Sequence, residues 1–250
     1  MVWSPELVAL VTVTFLLAGM VKGVIGMALP TVSLGVLAAV LGLKDAIVLM
    51  LVPSFVTNVW QGLIGGHFVM LLKRLWFLLV AMAVGIFFAT EALTMRDTSI
   101  LEAVLGMTLI GYGILSLAIP SIPKVVNGES WISPLVGGMT GLLAGLTGST
   151  VLPVVPYLRA LKMTREAFIQ AMGICFSTAA LVLGLALESR NLLPVSLGVL
   201  SAIGILPALI GMMIGQSIRR NLSEQHFKQV FFISVILLGG YIVARVYVFS

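Results

Sequence analysis

Long runs of apolar residues, separated by short polar stretches, dominate the chain. The runs lie near residues 7–42, 45–66, 75–93, 100–119, 133–160, 167–187, 192–217 and 227–249. Each has about 18 residues or more, enough for an α-helix to cross roughly 30 Å of hydrocarbon at a rise of about 1.5 Å per residue. The pattern therefore predicts an all-α integral membrane protein.

The first run is too long to be a single membrane-spanning helix. Residues 7–42 would form a helix of about 54 Å, against about 30 Å of hydrocarbon. Glycines and Pro30 favour a break in this run, and the run 133–160 contains a similar set of glycines with Pro153 and Pro156. We interpret each run as a helical hairpin with its tip near Gly23 or Gly145. The hairpin is either two full crossings or a re-entrant loop.

These two hairpins belong to an internal repeat. Gly19, Gly23 and Gly26 precede Leu29-Pro30, and Gly141, Gly145 and Gly148 precede Leu152-Pro153, at an offset of 122 residues for the glycines. The repeat predicts two halves, 1–125 and 126–250, each consisting of a hairpin and three transmembrane helices. Two broken apolar segments in corresponding positions indicate a transporter that binds its substrate where the repeats meet. Later correspondences pair Lys44-Asp45-Ala46 with Arg165-Glu166-Ala167, and Phe55 and Thr57 with Phe176 and Thr178.

The distribution of Lys and Arg predicts that the two halves are inverted in the membrane. If both glycine-containing runs are hairpins, nine basic residues fall on one face and four on the other, and the positive-inside rule makes the richer face cytoplasmic. With hairpins, both termini lie outside the cytoplasm. The alternative is that each glycine-containing run crosses once, which makes the repeats parallel and divides the basic residues eight against five. The nine are Lys73, Arg74, Lys124, Arg159, Lys162, Arg165, Arg219, Arg220 and Lys228, and the four are Lys44, Arg96, Arg190 and Arg245.

Composition excludes several other classes of protein. Apolar residues make up 60% and charged residues 9% of the chain, so too little polar surface remains for a water-soluble globule. The net charge of +5 lies in the loops and describes topology, so no nucleic-acid partner is expected. Cys175 is the single cysteine, and His67 and His226 lack metal-ligand spacing, so we expect no disulfide, metal or cofactor.

No cleavage site follows the first apolar run, so we expect the first helix to stay in the mature protein and not to be removed as a signal peptide.

The hairpin tips supply the first candidate binding residues. Lys22 lies beside Gly23 in an apolar stretch, and a charge inside a membrane usually has a function. A fixed cation beside backbone N–H groups freed by a break favours an anion. Alternatively, Lys22 extends to the headgroups, and the glycines serve only close helix packing. The second tip offers Thr147, Ser149 and Thr150 as hydroxyl donors.

The next helix of each half adds polar side chains at helical spacing. Ser54, Thr57, Asn58 and Gln61 share one face, and the later counterpart offers Gln170, Cys175, Ser177 and Thr178. Such faces point inward, either to hydrogen-bond another helix or to line a wet cavity. For Asn58 and Gln61 we favour the cavity. The predicted substrate-binding residues are Lys22, Gly23, Gly26, Thr57, Asn58, Gln61, Thr147, Gly148, Ser149, Thr150, Ser177 and Thr178.

Acidic residues and enzymatic motifs add little. Asp45 and Glu166 follow basic residues at helix starts and are expected to complement the helix dipole. Glu91 and Glu102 flank a short loop, where they are interfacial or relay a proton. The sequence contains no metal-binding His/Glu motif, no Ser-Lys or Ser-His pair at helical spacing and no cofactor fingerprint, so we do not expect an enzyme or catalytic residues.

The half-repeat resembles the sulfite exporter TauE/SafE family of membrane permeases. The resemblance is carried by Gly19-x-x-x-Gly23-x-x-Gly26 with its downstream proline, by the basic-acidic-Ala helix start, and by the closing stretch from Gly211 to Arg245. It implies secondary transport of small sulfur-containing anions, such as sulfite, sulfoacetate, another organosulfonate or thiosulfate, across the bacterial inner membrane. A small-anion channel or a carboxylate permease is the alternative. The expected partners are this anion and membrane lipids, and the sequence is also compatible with a homodimer.

Overall fold

The computed structural model of the protein describes residues 3–118, 128–219 and 224–249. Its helices in the first half are α1 Pro5–Ile25, α2 Leu29–Leu41, α3 Leu43–Leu63, α4 Phe68–Ala89 with a 3₁₀ turn Thr90–Thr94, and α5 Ser99–Ala118. In the second half they are α6 Glu129–Thr147, α7 Val154–Ala160, α8 Arg165–Glu188, α9 Val195–Ile203, α10 Ile205–Arg219 and α11 Glu224–Phe249. Lys124 and Arg220, which contribute to the predicted topology, lie outside the described residues, as does the predicted boundary between the halves.

Within these residues the fold is helical throughout, and seven helical stretches are long and apolar enough to cross a membrane. The predicted class, an all-α membrane protein, is confirmed. Each half has the predicted order of a broken hairpin followed by three longer helical segments. The inverted orientation of the halves stays a prediction. The seven stretches are Pro5–Ile25, Leu43–Leu63, Phe68–Thr94, Ser99–Ala118, Arg165–Glu188, Val195–Arg219 and Gln225–Val248.

Both glycine-containing runs break into two helices, but the breaks lie later than expected. The helix α1 continues through Gly23, and α6 continues through Gly145, so the predicted position of the tips was wrong. Each helix ends instead at the third glycine of its series. Gly26 has φ 86° and Gly148 has φ 76°, the left-handed conformation that glycine adopts at the C-terminal end of a helix at little steric cost.

The chain forms two compact units, and each unit contains helices from both sequence halves. The first unit comprises Met1–Pro53, Asp97–Ala118 and Leu193–Ser250. In this unit α1 packs along α10, and α5 packs along α11. The second unit comprises Ser54–Arg96 and Ile119–Leu192, and in it α4 packs along α6 and against α8. The helix α3 is therefore divided at Pro53, which lies in its interior.

In the first unit, glycines allow the backbones of α1 and α10 to touch. A Cβ atom on Gly19 would overlap the carbonyl group of Ala208, and a Cβ on Gly23 would overlap the carbonyl oxygen of Met212. The approach is reciprocal, because a Cβ on Gly215 would overlap the carbonyl of Met20. Small residues are the usual way for membrane helices to approach this closely. Gly19 and Gly23 are therefore packing residues.

The second unit repeats this arrangement with α6 and α4. A Cβ on Gly137 would overlap the carbonyl of Leu78, and a Cβ on Gly141 would overlap the carbonyl oxygen of Met82. At Gly145 an added Cβ would lie 2.7 Å from the carbonyl oxygen of Ile86. The first two glycines of each series thus pack a helix, and the third ends it.

Candidate functional site

The break between α1 and α2 occupies three residues of the first unit. The N–H group of Gly26 donates to the carbonyl oxygen of Lys22 at 2.7 Å and closes the last turn of α1. Ala28 precedes α2 with φ 88°, a left-handed conformation that is uncommon for a residue with a Cβ. Met27 and Ala28 are both buried. The break is therefore a compact turn inside the unit.

Lys22 lies in the last turn of α1, just before this break, and its side chain is only 2% exposed. Among the charged residues that the structure describes, it is the one that is buried. The alternative, in which the Lys22 side chain extends to the headgroups, would leave the ammonium group exposed, so its burial favours the predicted internal role. A cation near the C-terminal end of a helix is also stabilised by the helix dipole.

The break between α6 and α7 belongs to the second unit and carries hydroxyl groups. The Thr147 hydroxyl donates to the carbonyl oxygen of Leu143 at 2.6 Å and accepts from the N–H group of Ser149 at 3.2 Å. Gly148 donates its N–H to the carbonyl oxygen of Ala144 at 2.7 Å. Ser149 and Thr150 are 3% and 7% exposed. Four of the predicted binding residues are thus adjacent in one buried turn.

Three buried hydroxyl oxygens have no hydrogen-bond partner among the described residues: those of Thr31, Ser54 and Ser149. Most buried hydroxyls in helices of this protein instead donate to a carbonyl one turn earlier, as Ser33 does to Leu29 at 2.8 Å. A buried polar group without a partner is unusual and needs an explanation, and a bound ion or water is one such explanation. Thr31, which follows Pro30 directly, was missed by the sequence analysis. The sequence feature that could have identified Thr31 is a hydroxyl side chain in the first helical turn after a break.

The polar face of α3 in the second unit contains Ser54, Thr57 and Asn58, which are all buried. The Thr57 hydroxyl donates to the carbonyl oxygen of Ser54 at 3.3 Å. Gln61, farther along the same face, is half-buried, and its amide nitrogen donates to the carbonyl oxygen of Ile169 at 2.8 Å. That bond links α3 to α8. The polar face therefore combines buried groups near Pro53 with a helix–helix contact at its far end.

Gln170 forms the matching link from α8. Its amide nitrogen donates to the carbonyl oxygen of Gly62 at 2.9 Å, and its amide oxygen accepts from the N–H group of His67 at 2.9 Å. The helices touch here, because a Cβ on Gly173 would overlap the backbone of Gly62. Gln170 is fully buried, and both ends of its amide are satisfied by protein. Its role is to hold the end of α3 and the turn that follows it.

Ser177 and Thr178 lie farther along α8, where they line a groove of about 270 Å³ in the second unit. The Ser177 hydroxyl donates to the carbonyl oxygen of Gly173 at 2.7 Å. Most other residues lining the groove are apolar, so these two residues lie in a different environment from the buried turn at Ser149. The apolar lining includes Phe55, Val59, Leu63, Phe68, Leu72, Ile174 and Leu181.

The carboxylates considered as proton relays have structural partners. In the second unit, Glu91 accepts from the guanidinium of Arg190 at 2.9 Å, and Arg190 also donates to the carbonyl oxygen of Phe87 at 2.7 Å. In the first unit, Glu102 accepts from the N–H group of Leu43 at 3.2 Å. These bonds tie helix ends together and agree with the interfacial interpretation. Across the described ranges, no group of three or more His, Cys, Asp and Glu residues could hold a metal ion.

Comparison with known proteins gives one result for this chain. No curated protein and no solved structure matched it. The model of a permease family, described as sulfite exporter TauE/SafE, matches residues 11–242, which is nearly the whole sequence. The match covers both hairpin breaks and the two unpartnered hydroxyls, those of Thr31 and Ser149, that follow or lie in them. The chain therefore belongs to the sulfite exporter TauE/SafE family.

Proposed function

We propose that this protein is a secondary transporter that binds a sulfite ion or a small organosulfonate and carries it across the bacterial inner membrane by alternating access. Its family implies membrane transport of sulfur anions such as sulfite, and the seven long apolar helices found among the described residues make it a multi-pass membrane protein. The observation that carries the proposal is the buried hydroxyl of Ser149, which has no partner among the described residues.

The chemistry of the buried polar groups fits an oxyanion better than a cation. Hydroxyl groups can donate to an anion, and Ser149 lies in the α6–α7 turn beside Thr150. No carboxylate is buried in the part of the chain that the structure describes, whereas a buried cation site usually contains one. The buried charge that is present, Lys22, has the sign that attracts an anion.

We assign the binding role to two sets of residues, each on its own evidence. In the first unit, Lys22 supplies charge, Gly23 lets α1 pack against α10 beside this lysine, and Gly26 ends α1 at the break. In the second unit, hydroxyl, amide and backbone N–H groups supply directional hydrogen bonds. That second set is Thr57, Asn58, Thr147, Gly148, Ser149, Thr150, Ser177 and Thr178, whereas Gln61, which the sequence also predicted, is assigned to the contact with α8.

A binding screen with the purified protein tests the substrate class. A ligand that binds only the folded state raises the apparent melting temperature, by an amount that grows with ligand concentration over the dissociation constant. We expect sulfite or a two-carbon sulfonate to raise it more than sulfate or a carboxylate does. If a carboxylate gives the larger shift, the proposed substrate class is wrong. Ser149→Ala should reduce the shift, because it removes the hydroxyl without a protein partner.

Transport in proteoliposomes separates a carrier from a channel. We expect uptake of labelled anion to saturate and to be accelerated by unlabelled anion on the opposite side of the membrane. Such counterflow requires a binding site that is exposed to one side at a time. Flux that rises linearly with concentration and shows no counterflow would identify an anion channel instead.

A further inference from the structure

We infer that the N-terminal turn of α2 is a second anion-binding element, in which the hydroxyl of Thr31 and the backbone N–H groups of Leu29 and Thr31 contact a small oxyanion. The inference rests on the proposed function, because it assigns a further contact to the transported sulfite or sulfonate. It concerns only the first unit, to which α1, α2 and their connecting turn belong.

The backbone of this turn is suited to an anion. The helix α2 extends over 13 residues, and its N-cap residue, Ala28, has no side chain that can cap the helix. The first intrahelical bond is from the N–H group of Val32 to the carbonyl oxygen of Ala28 at 2.9 Å. The first N–H groups of any α-helix lack intrahelical acceptors, and the positive end of the helix dipole lies beside them. Pro30 has no N–H group, so Leu29 and Thr31 supply the backbone donors of this turn, and an oxyanion can accept from them.

The Thr31 side chain supplies the independent evidence. It is 3% exposed, and its hydroxyl oxygen has no partner among the described residues. Because Cα–Cβ bonds tilt toward the N-terminus of a helix, the Cβ atom that carries this hydroxyl leans toward the open end of α2. Met27, the residue one turn earlier, precedes the helix, so the usual bond to its carbonyl is not made. A buried donor is thus held at the end of the helix that favours negative charge.

Ser33 shows what a merely structural hydroxyl looks like in the same helix. It is fully buried, and it donates to the carbonyl oxygens of Leu29 at 2.8 Å and Pro30 at 3.4 Å. Its hydrogen-bonding capacity as a donor is used within the helix. Thr31 and Ser33 are two positions apart in one helix and both buried, but only the Ser33 hydroxyl has a partner among the described residues. Ser33 is therefore the matched control for Thr31.

The position of Thr31 also agrees with the charge at the break. Lys22 is buried in the last turn of α1, and Thr31 is in the first turn of α2, with the three-residue break between them in the chain. Met27, Ala28 and Leu29 around the break are buried as well. In such an enclosed environment, a small, compact anion that accepts several hydrogen bonds can satisfy the Thr31 hydroxyl and the backbone N–H groups of the first turn of α2. Sulfite and short sulfonates have this chemistry.

Calorimetric titration of the purified wild type, Thr31→Val, Thr31→Ser and Ser33→Ala with sulfite and with ethanesulfonate tests the inference. We expect Thr31→Val to weaken binding about tenfold, Thr31→Ser to stay near the wild type, and Ser33→Ala to change affinity less than about twofold. Without ligand, Thr31→Val should melt no lower than the wild type, because it removes a buried hydroxyl that has no partner among the described residues.

Each outcome of this titration has a distinct meaning. If the wild type binds sulfite and Thr31→Val binds it equally well, the hydroxyl contacts only water and the inference is overturned while the proposed function stands. If Ser33→Ala loses as much affinity as Thr31→Val, the effect is on helix packing, which also overturns it. If the wild type binds neither probe, the proposed function fails as well. Should Thr31→Val not fold, the comparison of Thr31→Ala with Thr31→Ser isolates the hydroxyl in the same way.

Discussion

The hydroxyl of Ser201 donates to the carbonyl oxygen of Leu49 at 2.6 Å, and this carbonyl is the one that Pro53 leaves without a donor. Proline has no N–H group, so the residue four positions earlier loses its intrahelical partner. Ser201 also accepts from the N–H group of Val52 at 3.2 Å. A single buried side chain on α9 therefore completes the hydrogen bonding of α3 at its proline.

A double-mutant cycle tests this relationship. Ser201→Ala should lower the free energy of unfolding by about 1 kcal/mol or more, because it leaves a buried carbonyl without a donor. In a Pro53→Ala background the same change should cost less, since the alanine introduced there has an N–H group that can donate to the carbonyl oxygen of Leu49. The free energy of unfolding of the wild type, the two single variants and the double variant is measured in mixed micelles. Equal costs in both backgrounds would show that Ser201 does not act through the carbonyl that Pro53 leaves open.

The glycine contacts predict different effects at two neighbouring positions of α6. Gly141→Ala should destabilise the protein by about 1–3 kcal/mol, because the added Cβ would overlap the carbonyl oxygen of Met82 and force α4 and α6 apart. Gly138→Ala should be neutral or slightly stabilising, since an added Cβ there meets nothing within 4 Å. Melting temperatures of the purified variants decide this. Similar losses at both positions would argue against backbone contact as the reason for the glycines.

Lys22 is expected to contribute charge to anion binding. Lys22→Ala should weaken sulfite binding by about 2 kcal/mol or more, roughly thirtyfold in the dissociation constant, because it removes one side of a desolvated charge-assisted pair. Lys22→Arg should be tolerated only in part, since a planar guanidinium is bulkier than an ammonium group beside the packed glycines. Isothermal titration of the three proteins provides the measurement. Unaltered affinity in Lys22→Ala would remove this residue from the site.

Two amides on α3 should respond differently to replacement by leucine. Asn58→Leu should weaken anion binding while the protein remains monodisperse, because Asn58 is 1% exposed on the polar face near Pro53. Gln61→Leu should mainly lower the melting temperature, since it removes the bond to the carbonyl oxygen of Ile169. Binding and melting are measured for both. If Asn58→Leu changes only stability, the polar face serves helix association alone.

The inverted orientation of the halves is tested by labelling single cysteines. Lys124→Cys should react with a membrane-impermeant reagent from the cytoplasmic side, and Ser189→Cys from the opposite side, because hairpin parity and the positive-inside rule place them so. Cys175→Ala provides the background, and Cys175 is itself fully buried. Labelling of both positions from the same side would show that the repeats are parallel.

How far sequence alone predicts this fold is clearest at the two glycine series. Their spacing predicted that Gly19–Gly26 and Gly141–Gly148 lie in broken apolar segments, and both segments are broken. It did not predict which glycine marks the end of the helix. A glycine in a membrane helix serves equally well for close packing or for a left-handed turn, and the choice at Gly23 depends on contact with Met212, far away in the chain.

The same limit applies to the polar residues. Spacing alone determined that Ser54, Thr57, Asn58 and Gln61 share one inward face, because side chains repeat with the helical period. Whether such a group bonds to protein depends on what faces it. The backbone of α8 satisfies the amide nitrogen of Gln61, whereas the hydroxyls of Ser54 and Thr31 meet no partner among the described residues. Apolar periodicity and glycine spacing are local properties of the chain, so the sequence determined the membrane class and the two broken apolar segments, whereas the division into two halves stays a prediction. Hydrogen-bond satisfaction is a property of pairs brought together by folding, so only the tertiary structure could separate the packing glycines and the bonded amides from the buried hydroxyls that have no partner among the described residues.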